Sequence, residues 1–176
     1  RRVMLAHGYI LEVEEKKGRS DRIMKREYLK IIEVFQQLAQ KMKPVDIAIT
    51  RRFPAKAAYM LTMFDYKKFL ELKITSRKAK IQVRQRDKKI LAYTEIAKKF
   101  SQIVAYNSAP WLLCAMYRIA EGKQKIAEVV SKAPLPKIRG LKWTEEAKDI
   151  FRQSMDEKLI QPLEKQASAL YHKAVE

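Results

Sequence analysis

The chain has 176 residues and carries 38 lysines and arginines against 20 aspartates and glutamates, a formal charge of +18. With 47% hydrophobic residues it has ample material for a packed core, which argues against disorder along its whole length. One cysteine excludes an intrachain disulfide and a multi-cysteine metal site, and four glycines leave little from which to build a phosphate-cradling loop.

Residues 1–19 read as an N-terminal arm. Val3 to Ala6 and Tyr9 to Leu11 are apolar. Tyr9, Leu11 and Val13 alternate as in a strand, with a short helix ending near Gly18 as the equal alternative. The stretch from Val3 to Leu11 is a candidate contact between subunits. From Ser20, a plausible N-cap, the residues Met24, Tyr28, Ile31, Ile32, Phe35, Leu38, Ala39 and Met42 recur at helical spacing, and Pro44 stops that helix. Residues 45–73 read as helix with a break at Phe53-Pro54, burying Ala57, Met60, Leu61, Phe64, Phe69 and Leu72. Residues 70–85 alternate apolar and charged side chains, so a short hairpin competes there with a helix from about Arg77 to Tyr106 capped by Ser76. Helix is favoured, because Thr75 to Lys78 lacks the Gly, Asn or Asp that hairpin turns use.

Ser108 and Pro110 open a further helix, which Gly122 weakens. Residues 133–142 (APLPKIRGLK) have the composition of a linker. Thr144 caps a last helix whose first turn holds Glu145 and Glu146, where the helix dipole favours negative charge, and Pro162 kinks or splits it. Its apolar side is Ile150, Phe151, Leu159, Leu163, Leu170 and Tyr171. The expected fold is mostly α: a compact antiparallel helical domain of about five helices with an N-terminal arm. Its organisation is an arm over 1–19, a basic helical domain over 20–132, a linker over 133–142, and a C-terminal helix over 143–176 packed on the same domain.

The longest uncharged run, Phe100 to Tyr117, has 18 residues and includes Ser101, Gln102, Asn107, Ser108 and Pro110. A membrane span needs about 20 mostly apolar residues, so no membrane partner is expected. No secretory signal is visible, and the opening Arg1-Arg2 leaves open a targeting segment ahead of it. The motifs of metalloproteases, redox dithiols, serine hydrolases and P-loop enzymes are absent. His7 has no carboxylate near it in sequence, and His172 lies near the end of the last helix. Cys114, between Leu113 and Ala115, reads as a buried thiol filling space. The carboxylates Glu145, Glu146 and Asp149 are explained by helix-end electrostatics. A non-enzymatic protein without metal or cofactor is therefore expected.

The charge is concentrated. Residues 51–100 hold 15 basic and 4 acidic side chains, against 11 and 7 over 1–50 and 12 and 9 over 101–176. The dense part contains Arg51, Arg52, Lys56, Lys67, Lys68, Lys73, Arg77, Lys78, Lys80, Arg84, Arg86, Lys88 and Lys89. Such a run repels itself unless a polyanion neutralises it, and each cation set on a phosphate releases a condensed counterion. On a helix, Arg77, Lys80, Arg84 and Lys88 form one stripe able to follow a nucleic-acid backbone. Of the interleaved aromatics, Phe64 and Phe69 share the core spacing, and Tyr66 is the candidate for stacking on unpaired bases.

The expected function is structural: binding DNA or RNA backbone without strong sequence specificity, as a coat or packaging protein or a ribonucleoprotein subunit. The alternative is a helical accessory subunit of a large complex, a mitochondrial one among the candidates, whose basic face meets acidic protein or lipid. Copies of itself or other subunits are expected partners, in an intracellular, virion or organellar assembly. Helical coat proteins of filamentous viruses and lineage-specific subunits of mitochondrial assemblies share this composition, an analogy that no residue motif carries.

Overall fold

Met4, Gly8 and Leu11 recur at intervals of four and three, the spacing of one helical face, and they are buried on α1 (Arg2–Lys16). The expected arm is thus a helix that contributes to a core. Its end is set by Gly18, whose φ of +63° is a conformation glycine adopts without cost. The computed structural model describes residues 1–140 and 142–175, and among them the protein is mostly α-helical with no strand. The described residues fall into two compact units, residues 1–65 with 99–115 and residues 66–98 with 116–176. The Pro/Gly segment 133–142 lies within the second of these.

In the first unit, α1 is followed by α2 (Asp21–Ala39), α3 (Pro44–Thr50) and the start of α4 (Arg52–Glu71). Ser20 stands at the N-cap of α2, but its hydroxyl makes no capping hydrogen bond. Pro44 occupies the first turn of α3, where its missing N–H leaves no bond unmade. Met24, Tyr28 and Ile31 of α2 close on Met4 and Leu11 of α1 and on Phe53 and Ala57 of α4. Burying a side chain the size of Phe53 contributes about 1.5–3 kcal/mol. Gly8 is required here: a Cβ on it would lie 2.3 Å from the Phe53 ring. The unit is completed by a 3₁₀ turn, Gln102–Tyr106, and the start of α6 (Ala109–Ser131), separated by Asn107 in the left-handed region. Tyr59 packs between Phe100 and Trp111, with ring centroids 5.5 and 5.4 Å away.

The second unit holds the end of α4, most of α5 (Ala79–Ser101), α6 from Met116 onward, and the C-terminal helical run. Tyr66, Phe69, Tyr93, Ile96, Ala120, Ile126, Ala127 and Val130 form its buried side. Gly122 earns its place by close approach, since a Cβ there would meet the Tyr93 ring at 2.6 Å. Thr144 caps α7 (Glu145–Met155) as expected, its Oγ1 accepting from the Ala147 amide at 3.2 Å. A π-helical turn, Asp156–Ile160, then joins α7 to α8 (Gln161–Val175), so the run is split just ahead of Pro162. Ile150 departs from its expected place and is exposed.

The region 70–85 is neither hairpin nor continuous helix. α5 begins at Ala79, and residues 72–78 ahead of it form no helix or strand. Their backbone groups find partners outside the local chain. The side-chain amide oxygen Oε1 of Gln85 accepts from the amides of Thr75 (3.1 Å) and Ser76 (3.2 Å). Arg77 O accepts from the Lys137 amide at 2.6 Å, and Lys78 and Lys137 form an isolated parallel bridge. Ser76 does not cap α5, since the helix starts three residues later; its hydroxyl accepts from the Lys78 amide at 3.1 Å in the connection ahead of it. The number of helices exceeds five because α1 replaces the arm, α3 and α4 separate at Arg51, and the π turn divides the last run.

Candidate nucleic-acid interface

The structure distributes the candidate cations over both units and gives them unequal freedom. In the first unit, Arg51 is half-buried at the end of α3, and exposed Arg52 lays its guanidinium 4.7 Å from the Phe53 ring centre. Lys56 is committed elsewhere. Its ammonium pairs with Glu15, which also accepts from the Tyr28 hydroxyl at 2.8 Å. Lys56 thus ties α4 to α1 and is withdrawn from the candidate interface.

In the second unit, Lys67, Lys68, Lys73, Arg77, Lys78, Lys80, Arg84 and Lys88 are all exposed. None has a carboxylate within 4.0 Å among the described residues. Lys80, Arg84 and Lys88 recur every four residues along one face of α5, about 6 Å apart along its axis. One strand of duplex DNA advances about 3.4 Å per phosphate, so such a row meets roughly every second phosphate. Arg77 precedes the helix and does not belong to this row. The first turn of α5 contains no acidic residue, so Arg77, Lys78 and Lys80 add to the positive end of the helix dipole. Arg86 is partly neutralised by Asp87, 2.9 Å away.

Two expected members are corrected. Lys89 is 2% exposed and faces inward. Its ammonium donates to the carbonyls of Phe69 (3.0 Å) and Leu72 (2.8 Å) and lies 4.2 Å from the Phe69 ring centre. It closes the C-terminal end of α4, where carbonyls lack helical partners. Burial lowers its pKa to about 8. Tyr66 is 1% exposed, so its ring has no face to offer a base. Its hydroxyl donates to Glu121 at 2.8 Å, and burial, followed by that hydrogen bond, pushes its ionisation upward.

Other sequence expectations resolve as follows. Cys114 is exposed, because the buried side of α6 passes through Ala115 instead. On α1, Met4 and Leu11 are buried, while Val3, Tyr9, Ile10 and Val13 are exposed. No helix among the described residues is long and apolar enough to cross a membrane.

Lys137, in the segment read as a linker, forms an isolated parallel bridge with Lys78. The bridge brings the backbones of residues 77–78 and Lys137 together, with the Lys137 amide donating to Arg77 O. The charge of Lys137 was visible in the sequence. Its pairing joins residues 59 positions apart by number and had no local signal. Comparison with protein-family models, curated proteins and solved structures finds no match to the chain.

Proposed function

We propose that the protein binds nucleic-acid backbone through the second unit, without strong sequence specificity, as a structural component of a nucleoprotein assembly. The observation that carries this reading is the set of exposed cations on the end of α4, the 72–78 connection and the first half of α5, which have no ion-pair partner among the described residues. Side chains of this kind position a backbone. The aromatic side chains near them in sequence, Tyr66 and Phe69, are buried, so stacking adds little. Lys137 extends the surface beside Lys78. Val3, Ile10 and Val13 on α1 are the apolar side chains available to further subunits.

The test is a salt titration of binding to labelled duplex DNA, single-stranded RNA and heparin. The triple variant Lys80→Glu, Arg84→Glu, Lys88→Glu is compared with a charge-matched control, Lys158→Glu, Lys165→Glu, Lys173→Glu. The row variant is expected to lose about three units of log–log salt slope and the control to lose less than one. Equal losses in both would reduce the interface to bulk charge. Retained nucleic-acid binding in the row variant would overturn the assignment and turn attention to an acidic protein partner.

A further inference from the structure

Within the second unit, α5, the 131–137 segment and α7 line a half-open cavity of about 1160 Å³. We propose that it binds an amphipathic anion: an acyl chain seated in the cavity with one carboxylate or phosphate head at Arg77 and Lys137. This goes beyond nucleic-acid binding and does not depend on it.

The walls dictate the body of the ligand. Ile74, Val83, Val130, Leu135 and Ile160 line the cavity with aliphatic groups. The aromatic pair Trp143–Phe151 meets edge to face at 5.3 Å, and the indole N–H is spent on Pro136 O at 2.8 Å. The polar lining is largely spoken for as well. Gln82 donates to Pro134 O, Ser131 to Glu128 O and Gln153 to Glu157. Lys132 pairs with Glu128, Lys148 with Glu145 and Arg86 with Asp87. The one lining carboxylate, Asp156, accepts from Gln161 at 2.7 Å.

The charge of the lining is mostly positive. Arg77, Lys137 and Arg152 line the cavity without a carboxylate in ion-pair reach among the described residues. Arg77 and Lys137 are held together by the 2.6 Å hydrogen bond between their backbones. Apolar walls with a few convergent polar groups are the ordinary make-up of a small-molecule site. Here six lining side chains are cationic against the single carboxylate of Asp156, a balance that selects an anionic head.

The chain has two tryptophans, Trp111 in the first unit and Trp143 in the cavity wall. In a Trp111→Phe background, Trp143 emission is titrated with octanoate, decanoate, decyl phosphate and decanol below their micelle concentrations. Calorimetry on the unsubstituted chain repeats the series, should that background fold poorly. Saturable one-to-one binding is expected, tightening by up to about fourfold per added methylene. Decanol should bind at least about tenfold more weakly, since a charge-assisted contact is lost. Arg77→Gln with Lys137→Gln should bring decanoate down to the level of decanol. Val83 is 45% exposed, so Val83→Phe can narrow the cavity at its rim without straining a core, and it should weaken decanoate binding while helicity is kept. Anionic vesicles and a short oligothymidylate separate other occupants. Vesicle binding that Val83→Phe leaves unchanged is surface charge alone. Quenching by the oligonucleotide that Val83→Phe weakens would make the occupant a base and overturn the acyl assignment. No response to decanoate, or equal affinity for decanol, would overturn it too.

Discussion

Lys89 illustrates how far a residue's role departs from its type. In sequence it is one more cation in a dense run; in the structure it is the group that satisfies the end of α4. Removing the ammonium leaves the carbonyls of Phe69 and Leu72 without that donor, and a buried polar group left unpaired costs about 1–3 kcal/mol. Lys89→Met should therefore destabilise the protein by about that amount at neutral pH, read by urea unfolding, while leaving polyanion binding unchanged. The same residue sets a pH dependence. Its folded pKa of about 8 lies below the ordinary 10.5, so between those values the unfolded chain holds a proton the folded chain has lost. Stability gains from Lys89 as pH rises through that window and loses the gain as pH falls back through it. Tyr28, Tyr66 and Tyr93 act in the opposite sense. Burial raises their ionisation above the ordinary 10.0, so beyond that pH the unfolded state sheds protons the folded state keeps, and stability falls. Unfolding free energy should climb from pH 8, turn over near 10, and lose most of its climb in Lys89→Met, the remainder coming from Lys123, which burial also holds below its ordinary value. A climb of unchanged size in the variant would mean that Lys89 is not its source.

At the scale of elements, the helices that sequence periodicity located are those with an uninterrupted apolar stripe, such as Met24, Tyr28 and Ile31 on α2. Thr144 with Glu145 and Glu146 marked the start of α7 as local chemistry predicts. Residues 72–78 were illegible because the groups that hold them are distant: Gln85 on α5 and Lys137 beyond α6. Propensity could not reveal that a glutamine side chain replaces a turn's own hydrogen bonds. The candidate site was legible to the same extent. Exposed Lys80, Arg84 and Lys88 followed from helical spacing, whereas the inward Lys89 and Tyr66 and the paired Lys56 depended on tertiary contacts. This gives Gln85 a measurable role. Gln85→Leu removes that shared acceptor and with it two hydrogen bonds, costing about 1–3 kcal/mol at about 0.5–1.5 kcal/mol per hydrogen bond. Amide exchange at Thr75 and Ser76 should quicken, since both donate to that oxygen. Nucleic-acid affinity should fall because Lys73, Arg77 and Lys78 must be ordered on binding, yet the salt slope should stay constant because the number of phosphate contacts is the same. A slope that falls with affinity would show that the residues lose their contacts outright.

At the scale of the whole molecule, a charge of +18 opposes the compact state, and a bound polyanion relieves that opposition. A ligand that binds only the folded form at a hundred times its Kd adds about 2.7 kcal/mol to stability. For a chain of this size each kcal/mol raises the melting temperature by about 2–4 °C, so heparin or a nucleic acid at that excess should raise it by about 5–10 °C. Trp143 reports on the unit that carries the cation row, so its emission is the proper readout. Added sodium chloride has two opposed consequences. It screens self-repulsion in the free protein, raising its melting temperature, and it weakens the complex, shrinking the polyanion's increment. The two melting curves should therefore converge as salt rises. In Lys80→Glu, Arg84→Glu, Lys88→Glu, less self-repulsion should raise the free protein's melting temperature, while the polyanion adds little. If heparin stabilises that variant as strongly as the parent, the row on α5 is not where the polyanion rests.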